Sequence, residues 1–130
     1  MQIDDRLGTF EEVLADAGGL APVLTAVRGV VEDLHHDVVE TASRKEKTLS
    51  WGFRGGKMTH AYAYARAFKA RVNLGFFQGI YLPDPEGLLE GTGKVLRHLK
   101  LATPQDALAP AVRDLLITAR DERRAALNLN

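Results

Sequence analysis

The sequence predicts a two-layer α+β domain, in which helices from both ends of the chain pack on one face of an antiparallel sheet. Apolar residues recur at helical spacing before residue 35 and after residue 110. Between residues 48 and 101 they alternate with polar residues, as they do in half-buried strands. Short turn signals separate the alternating runs, which favours about four or five antiparallel strands.

Two helices are expected at the N-terminus. Thr9 followed by Glu12 is a capping-box pattern, and Gly18 can end the helix that follows. Pro22 suits the first turn of a second helix. The apolar residues of this second helix are spaced to form one buried stripe: Val23, Leu24, Val27, Val30, Val31 and Leu34.

The middle of the chain is expected to form the sheet. Alternating runs cover residues 48–54, 58–67, 71–77 and 94–101, and Gly55-Gly56 is interpreted as a turn between the first two. The charged stretch 43–47 is interpreted as a loop or a frayed helix end. The side chains expected to face the helices are Leu49, Trp51, Phe53, Ala61, Ala63, Ala65, Val72, Leu74, Phe76, Leu99 and Leu101.

A helical segment is expected to begin at Thr103-Pro104 and to restart at Pro110 as the main C-terminal helix. Its buried residues should be Val112, Leu115, Leu116 and Ala119.

The composition fits one domain over residues 1–130 and excludes several chemistries. Apolar residues make up 45% of the chain and charged residues 26%, which is typical of a folded domain. Cysteine is absent, which excludes disulfides, thiolate catalysis and cysteine-ligated metals. The N-terminus has acids where a signal peptide would be basic, and no apolar run approaches the roughly 18 residues of a membrane span. We therefore expect a cytoplasmic protein without a membrane partner.

The charges balance overall but are divided along the chain. Residues 1–40 contain nine acids and two bases, whereas residues 41–75 contain eight bases and one acid. Attraction between these two regions across the folded domain is one interpretation, and a local anion site is the other. The overall balance argues against a broad nucleic-acid footprint, so no nucleic acid is expected as a partner.

No motif calls for an enzyme. The stretch Gly91-Thr92-Gly93-Lys94 looks like a phosphate loop, but Val95 stands where a Ser or Thr should bind magnesium. It is interpreted as a glycine turn that leads into a strand. The two serines, Ser43 and Ser50, lie in no nucleophile motif.

The alternation also predicts a polar face on the side of the sheet away from the helices. This face combines hydroxyl-bearing aromatics with cations, which hold carboxylates, phosphates or planar anions. An ordinary exposed strand face is the alternative interpretation. Arg97 belongs to the set, although the register places it on the helix side, near the strand end. The candidate ligand-binding residues are His60, Tyr62, Tyr64, Arg66, Arg71, Asn73, Lys94, Arg97, His98 and Lys100.

A second candidate site lies in the acidic first third. Glu32, His36 and Glu40 are spaced four residues apart and would share one face if the second helix continued to residue 40. Carboxylates and imidazole could bind a cation such as iron there. A solvated helix face is the alternative interpretation.

Several segments resemble the YdhG-like family of domains of unknown function, over residues 38–119: Ser50-Trp51-Gly52-Phe53, Lys57-Met58, Ala61-Tyr62-Ala63-Tyr64, Val72-Asn73-Leu74-Gly75-Phe76, Leu82-Pro83-Asp84-Pro85, Leu88-Leu89-Glu90-Gly91-Thr92-Gly93-Lys94 and Arg97-His98-Leu99-Lys100. The resemblance implies a frataxin-like layout, with terminal helices on one face of an antiparallel sheet. Some family members are described as frataxin-like iron chaperones, which implies iron as a possible ligand.

These patterns together favour a non-enzymatic binding module that holds a small anionic ligand on the open sheet face. One alternative is a frataxin-like iron chaperone that uses the acidic N-terminal helices. The other is a self-association module, in which the tyrosine-rich face forms a homodimer.

Overall fold

The computed structural model describes residues 1–54 and 58–129, apart from the side chain of Met58. The turn expected at Gly55-Gly56 therefore lies outside the described residues. The helices are α1 (Phe10–Ala17), α2 (Ala21–Leu34), α3 (Pro104–Ala107) and α4 (Pro110–Ala126). The strands are β1 (Gln2–Asp4), β2 (Val39–Ser43), β3 (Thr48–Gly52), β4 (Ala61–Phe68), β5 (Arg71–Phe76) and β6 (Arg97–Leu101).

The strands form one sheet of six in chain order, so the predicted α+β class is confirmed while the sheet is larger than expected. β1 runs parallel to β2, and every other pair is antiparallel. The two additional strands escaped prediction for different reasons. β1 has only three residues. β2 has no clean apolar alternation, because it buries the charged Glu40.

The predicted helix starts and buried stripes are confirmed. Thr9 Oγ1 accepts a hydrogen bond from Glu12 N at 3.2 Å, and Glu12 Oε1 accepts one from Thr9 N at 3.0 Å. Gly18 has a left-handed φ of +56° immediately after α1, which suits glycine at a helix end. The buried residues of α2 and α4 are the six and the four that their spacing predicts.

A buried ion pair links the helical layer to the sheet. Glu40 is only 1% exposed and accepts hydrogen bonds from Arg28 Nε at 2.8 Å and Arg28 Nη2 at 2.9 Å. Trp51 Nε1 donates a third bond at 3.0 Å, and the Arg28 guanidinium lies 3.8 Å from the centre of the Phe10 ring. These contacts connect α1 and α2 with β2 and β3.

A β-bulge interrupts the pairing of β3 with β4. Trp51 pairs with Ala63 whereas Gly52 pairs with Ala61, so Tyr62 is an extra residue in β4. Tyr62 is 2% exposed and belongs to the core, while Ala61 lines a cavity on the other side of the sheet. Gly52 permits this geometry, since a Cβ there would lie 2.2 Å from the His60 carbonyl oxygen.

The segment Phe10–Leu34 is long and apolar enough to cross a membrane, with a mean hydropathy of 1.3. The expectation that the chain has no such segment is therefore wrong. In the fold this segment is divided by the turn Gly18–Leu20, and the apolar stripe of α2 packs in the core. Only 28% of the apolar window is buried, so packing against the sheet accounts for the stripe of α2 and not for the composition of the whole segment.

Replacement of Glu40 tests the buried ion pair. Glu40→Gln keeps the side-chain shape but leaves the Arg28 charge without its partner, which should lower the free energy of unfolding by about 3 kcal/mol. Urea unfolding followed by circular dichroism measures this change. The exposed loop variant Glu86→Gln is the control and should stay within about 0.5 kcal/mol of the wild type. Equal stability of the two variants would contradict the assigned role of Glu40.

Candidate functional site

The helices α1, α2 and α4 share one core with the apolar side of the sheet, and the opposite side is called the open face here. Cross-strand pairing arranges the open face in two rows, because paired residues point to the same side of a sheet. The first row contains Thr41, Ser50, Tyr64, Gly75 and His98. The second row contains Ser43, Thr48, Arg66, Asn73 and Lys100.

A shallow groove of about 580 Å³ crosses this face, a volume within the range of small-molecule sites. A smaller cavity of about 260 Å³ continues from it along β2 and β3. Among the described residues that line the groove, Arg66 is the only cation and Glu46 the only acid. The full lining is Glu46, Thr48, Ser50, Tyr64, Arg66, Phe68, Asn73, Phe77 and Leu96.

Arg66 is a half-buried cation in the middle of the groove. Its guanidinium lies 5.0 Å from the centre of the Phe68 ring, and no carboxylate within the described residues forms an ion pair with it. Its cross-strand neighbours are the uncharged Thr48 and Asn73. The guanidinium donors are therefore available to an external anion.

Tyr64 contributes an aromatic surface next to Arg66. Its ring lies directly above Gly75, since a Cβ at that position would be 2.0 Å from Tyr64 Cε1. The Phe77 ring lies beside it, with 5.3 Å between the ring centroids. Burial raises the pKa of the Tyr64 phenol, so its hydroxyl is a hydrogen-bond donor at neutral pH.

The side-chain carbonyl oxygen of Asn73 is a hydrogen-bond acceptor without a donor in the described part of the chain. This Oδ1 atom is buried. A buried acceptor left in this state costs about 1–3 kcal/mol, unless a water or ligand donor satisfies it. Asn73 pairs with Arg66 on one side and with Lys100 on the other, so it belongs to the same row of the open face as the cation of the groove.

The structure brings Tyr64, Arg66 and Asn73 together, as the alternation predicts, but places the cations of β6 elsewhere. Lys100 lies on the open face and pairs with Glu90, with 3.3 Å between Nζ and Oε1. His98 is half-buried on the same face, beside Gly75. The predicted strand 94–101 begins only at residue 97, so Lys94 belongs to the preceding loop and does not align with Lys100.

Three other predicted residues lie outside the groove. Arg97 is on the helix side, as expected, because it pairs with Phe76. Its Nη1 donates to the carbonyl oxygens of Gly93 at 2.6 Å and Leu96 at 2.7 Å. Arg71 is exposed at the start of β5. His60 ends a short 3₁₀ turn before β4, and its Nδ1 lies 3.2 Å from Thr59 Oγ1.

The placement of Tyr62 on the open face is wrong. The bulge turns this residue toward the helices, where its hydroxyl is hydrogen-bonded to His35 Nδ1 at 2.9 Å. The ring centroids of His35 and Phe53 lie 4.8 Å apart, and those of Phe53 and Tyr62 lie 6.0 Å apart. Burial raises the pKa of Tyr62, so its phenol stays neutral within this cluster.

The predicted metal set does not form. Helix α2 ends at Leu34, so His36 lies beyond the helix and Glu40 is in β2, buried against Arg28. Glu32 is on the helix surface, 3.9 Å from the N-terminal amine. No cluster of three or more metal-ligating side chains occurs in residues 1–54 and 58–129.

The strand patterns also contain groove residues that were not selected as candidates. Thr48 and Ser50 alternate with the buried Leu49 and Trp51, so the rule that found Tyr64 also places them on the open face. Leu96 had no such signal, because its position depends on how the loop before β6 folds.

Comparison of the chain with protein-family models, with curated proteins and with solved structures gives no match. The resemblance to the YdhG-like family therefore stays a prediction. The cytoplasmic location also stays a prediction.

His35 should make stability depend on pH. Burial lowers the pKa of His35 from 6.5 to about 4, with Arg124 and Arg120 adding to the effect and Asp37 opposing it. The unfolded chain therefore binds more protons between these values, and stability falls as the pH drops through that range. The loss should reach roughly 3 kcal/mol near pH 4, with a slope of up to about 1.4 kcal/mol per pH unit.

Urea unfolding at pH 7, 6, 5 and 4 measures this dependence. His35→Gln cannot titrate, so the difference in unfolding free energy between wild type and variant isolates the histidine from other acids. A difference that does not change with pH would show that His35 is not held neutral by burial.

Proposed function

We propose that this protein is a non-enzymatic binding domain that holds a small anion in the groove of the open face. The observation that supports this most is Arg66, a half-buried cation with no carboxylate partner among the described residues. Arg28 and Arg113 have such partners in Glu40 and Asp33. Within the described part of the chain, the half-buried Arg97 and Arg124 lack one as Arg66 does, but neither of them lines the groove. An anionic ligand would give Arg66 the negatively charged partner that Glu40 gives to Arg28.

The surroundings of Arg66 favour binding over simple exposure to solvent. Fully exposed ion pairs contribute about 0–1 kcal/mol, because water screens the charges. Hydrogen bonds to a charged group in a partly dry groove contribute about 1.5–3 kcal/mol. Thr48 and Ser50 line the same groove as Arg66, and their hydroxyl groups can donate to a carboxylate or phosphate.

The groove favours binding rather than catalysis. No imidazole lines it within the described residues, and Glu46 is its one carboxylate. The hydroxyls of Ser50 and Tyr64 therefore lack an adjacent histidine base of the kind that activates a nucleophile.

Self-association is a second use of the same face. Phe68 and Leu96 line the groove and are 41% and 39% exposed. Exposed apolar side chains beside a concave surface are typical of protein interfaces as well as of ligand sites.

Removal of the Arg66 charge tests the proposal. Benzoate, cyclohexanecarboxylate and phosphate should each be titrated by calorimetry at the same ionic strength, with chloride as reference. Arg66→Gln should weaken binding by about tenfold or more, because a charge-assisted hydrogen bond is lost. The control Lys69→Gln removes the same charge from the exposed turn between β4 and β5 and should bind like the wild type.

Two results would count against the anion site. Either no anion binds more tightly than chloride, or Arg66→Gln and Lys69→Gln respond alike. Sedimentation equilibrium of the same samples distinguishes self-association from anion binding. Self-association would be favoured if the wild type is a dimer, if Phe68→Ser dissociates that dimer, and if no anion binds.

A further inference from the structure

The Tyr64 ring is part of the groove surface, and Gly75 determines where that ring lies. Cross-strand pairing places Tyr64 opposite Gly75, and the ring crosses above the glycine backbone. A Cβ at position 75 would lie 2.0 Å from Tyr64 Cε1 and 2.1 Å from Tyr64 Cζ. Only glycine therefore leaves room for the ring in this position.

The ring has one side against β5 and contributes to the groove on the other. The Phe77 ring contacts the Tyr64 ring at an interplanar angle of 46° and also lines the groove. An aromatic surface supported in this way is suited to stacking, because planar rings prefer offset or tilted contact with one another. Arg66 lies near this aromatic surface. Tyr64 and Arg66 are two residues apart on one strand, so their side chains leave the same face of the sheet about 7 Å apart.

We infer that the ligand is an aromatic acid, whose ring stacks on Tyr64 while its carboxylate or phosphate binds Arg66. This inference rests on the proposed function and adds the chemical class of the ligand. Gly75 is then a specificity-determining residue that touches no ligand: it selects for a ring by letting Tyr64 lie across the sheet.

Gly75→Ala is the sharpest variant, because it changes no charge and removes no groove side chain. The atoms that the new Cβ meets belong to the far end of the Tyr64 ring, which can rotate toward solvent. Gly75 has no positive φ, so alanine suits the strand and the fold should be retained. Gly29→Ala is the matched control, because a Cβ there meets no atom within 4 Å.

Calorimetry with benzoate and cyclohexanecarboxylate tests the inference, since the two acids have the same charge and similar size. The wild type and Gly29→Ala should bind benzoate roughly threefold to tenfold more tightly than cyclohexanecarboxylate. Gly75→Ala should bind both acids equally, as should Tyr64→Leu, which removes the ring by another route. Arg66→Gln should weaken the binding of both acids when it is added to each of these four proteins, the wild type and the three variants.

Each other result has a definite meaning. Equal binding of the two acids by the wild type would overturn the inference and leave the anion site in place. A ring preference that persists in both Gly75→Ala and Tyr64→Leu would also overturn it. If neither acid binds the wild type, the inference fails, and the proposed function fails with it if phosphate does not bind either.

Discussion

One extra residue in β4 determines which side chains belong to the core and which belong to the surface. On the C-terminal side of Tyr62 the strict alternation holds, and Tyr64 and Arg66 face the groove. At Tyr62 itself the order is reversed, so the tyrosine enters the core and Ala61 takes its place on the open face. A slip of one residue exchanges the two faces of a strand, so the bulge confines the groove to one end of β4.

Burial on the helix side explains why this irregularity is stable. Tyr62 contributes a hydrogen bond to His35 and packs with Phe53, which offsets the ladder bonds that a bulge disrupts. The neighbouring strands are held independently by Glu40, whose carboxylate receives bonds from a helix and from β3 at once. The contacts on the helix side therefore stabilise the fold. The open face can carry polar and aromatic side chains that contribute little to the core.

The parts of the fold that depend on local spacing could be predicted from the sequence. The capping box at Thr9 and the stripes of α2 and α4 depend on residues within a few turns of one another, and they are confirmed. Tyr62 could not be placed, because a bulge depends on how β3 pairs and not on the sequence of β4. The acidic metal set failed for a similar reason: α2 ends at Leu34, and Glu40 found a partner on another element.

The central claim is that the open face binds the ligand. Nuclear magnetic resonance of ¹⁵N-labelled protein during a titration with benzoate tests this claim most directly. Binding in the groove predicts that amide shifts concentrate in β3, β4, β5 and the adjoining residues through Phe77, with the Arg66 side-chain signal moving at the same ligand concentrations. The amides of α1 and α2 should not change, because the sheet separates them from the groove. Shifts confined to those helices, or spread evenly over the chain, would contradict a binding site on the open face.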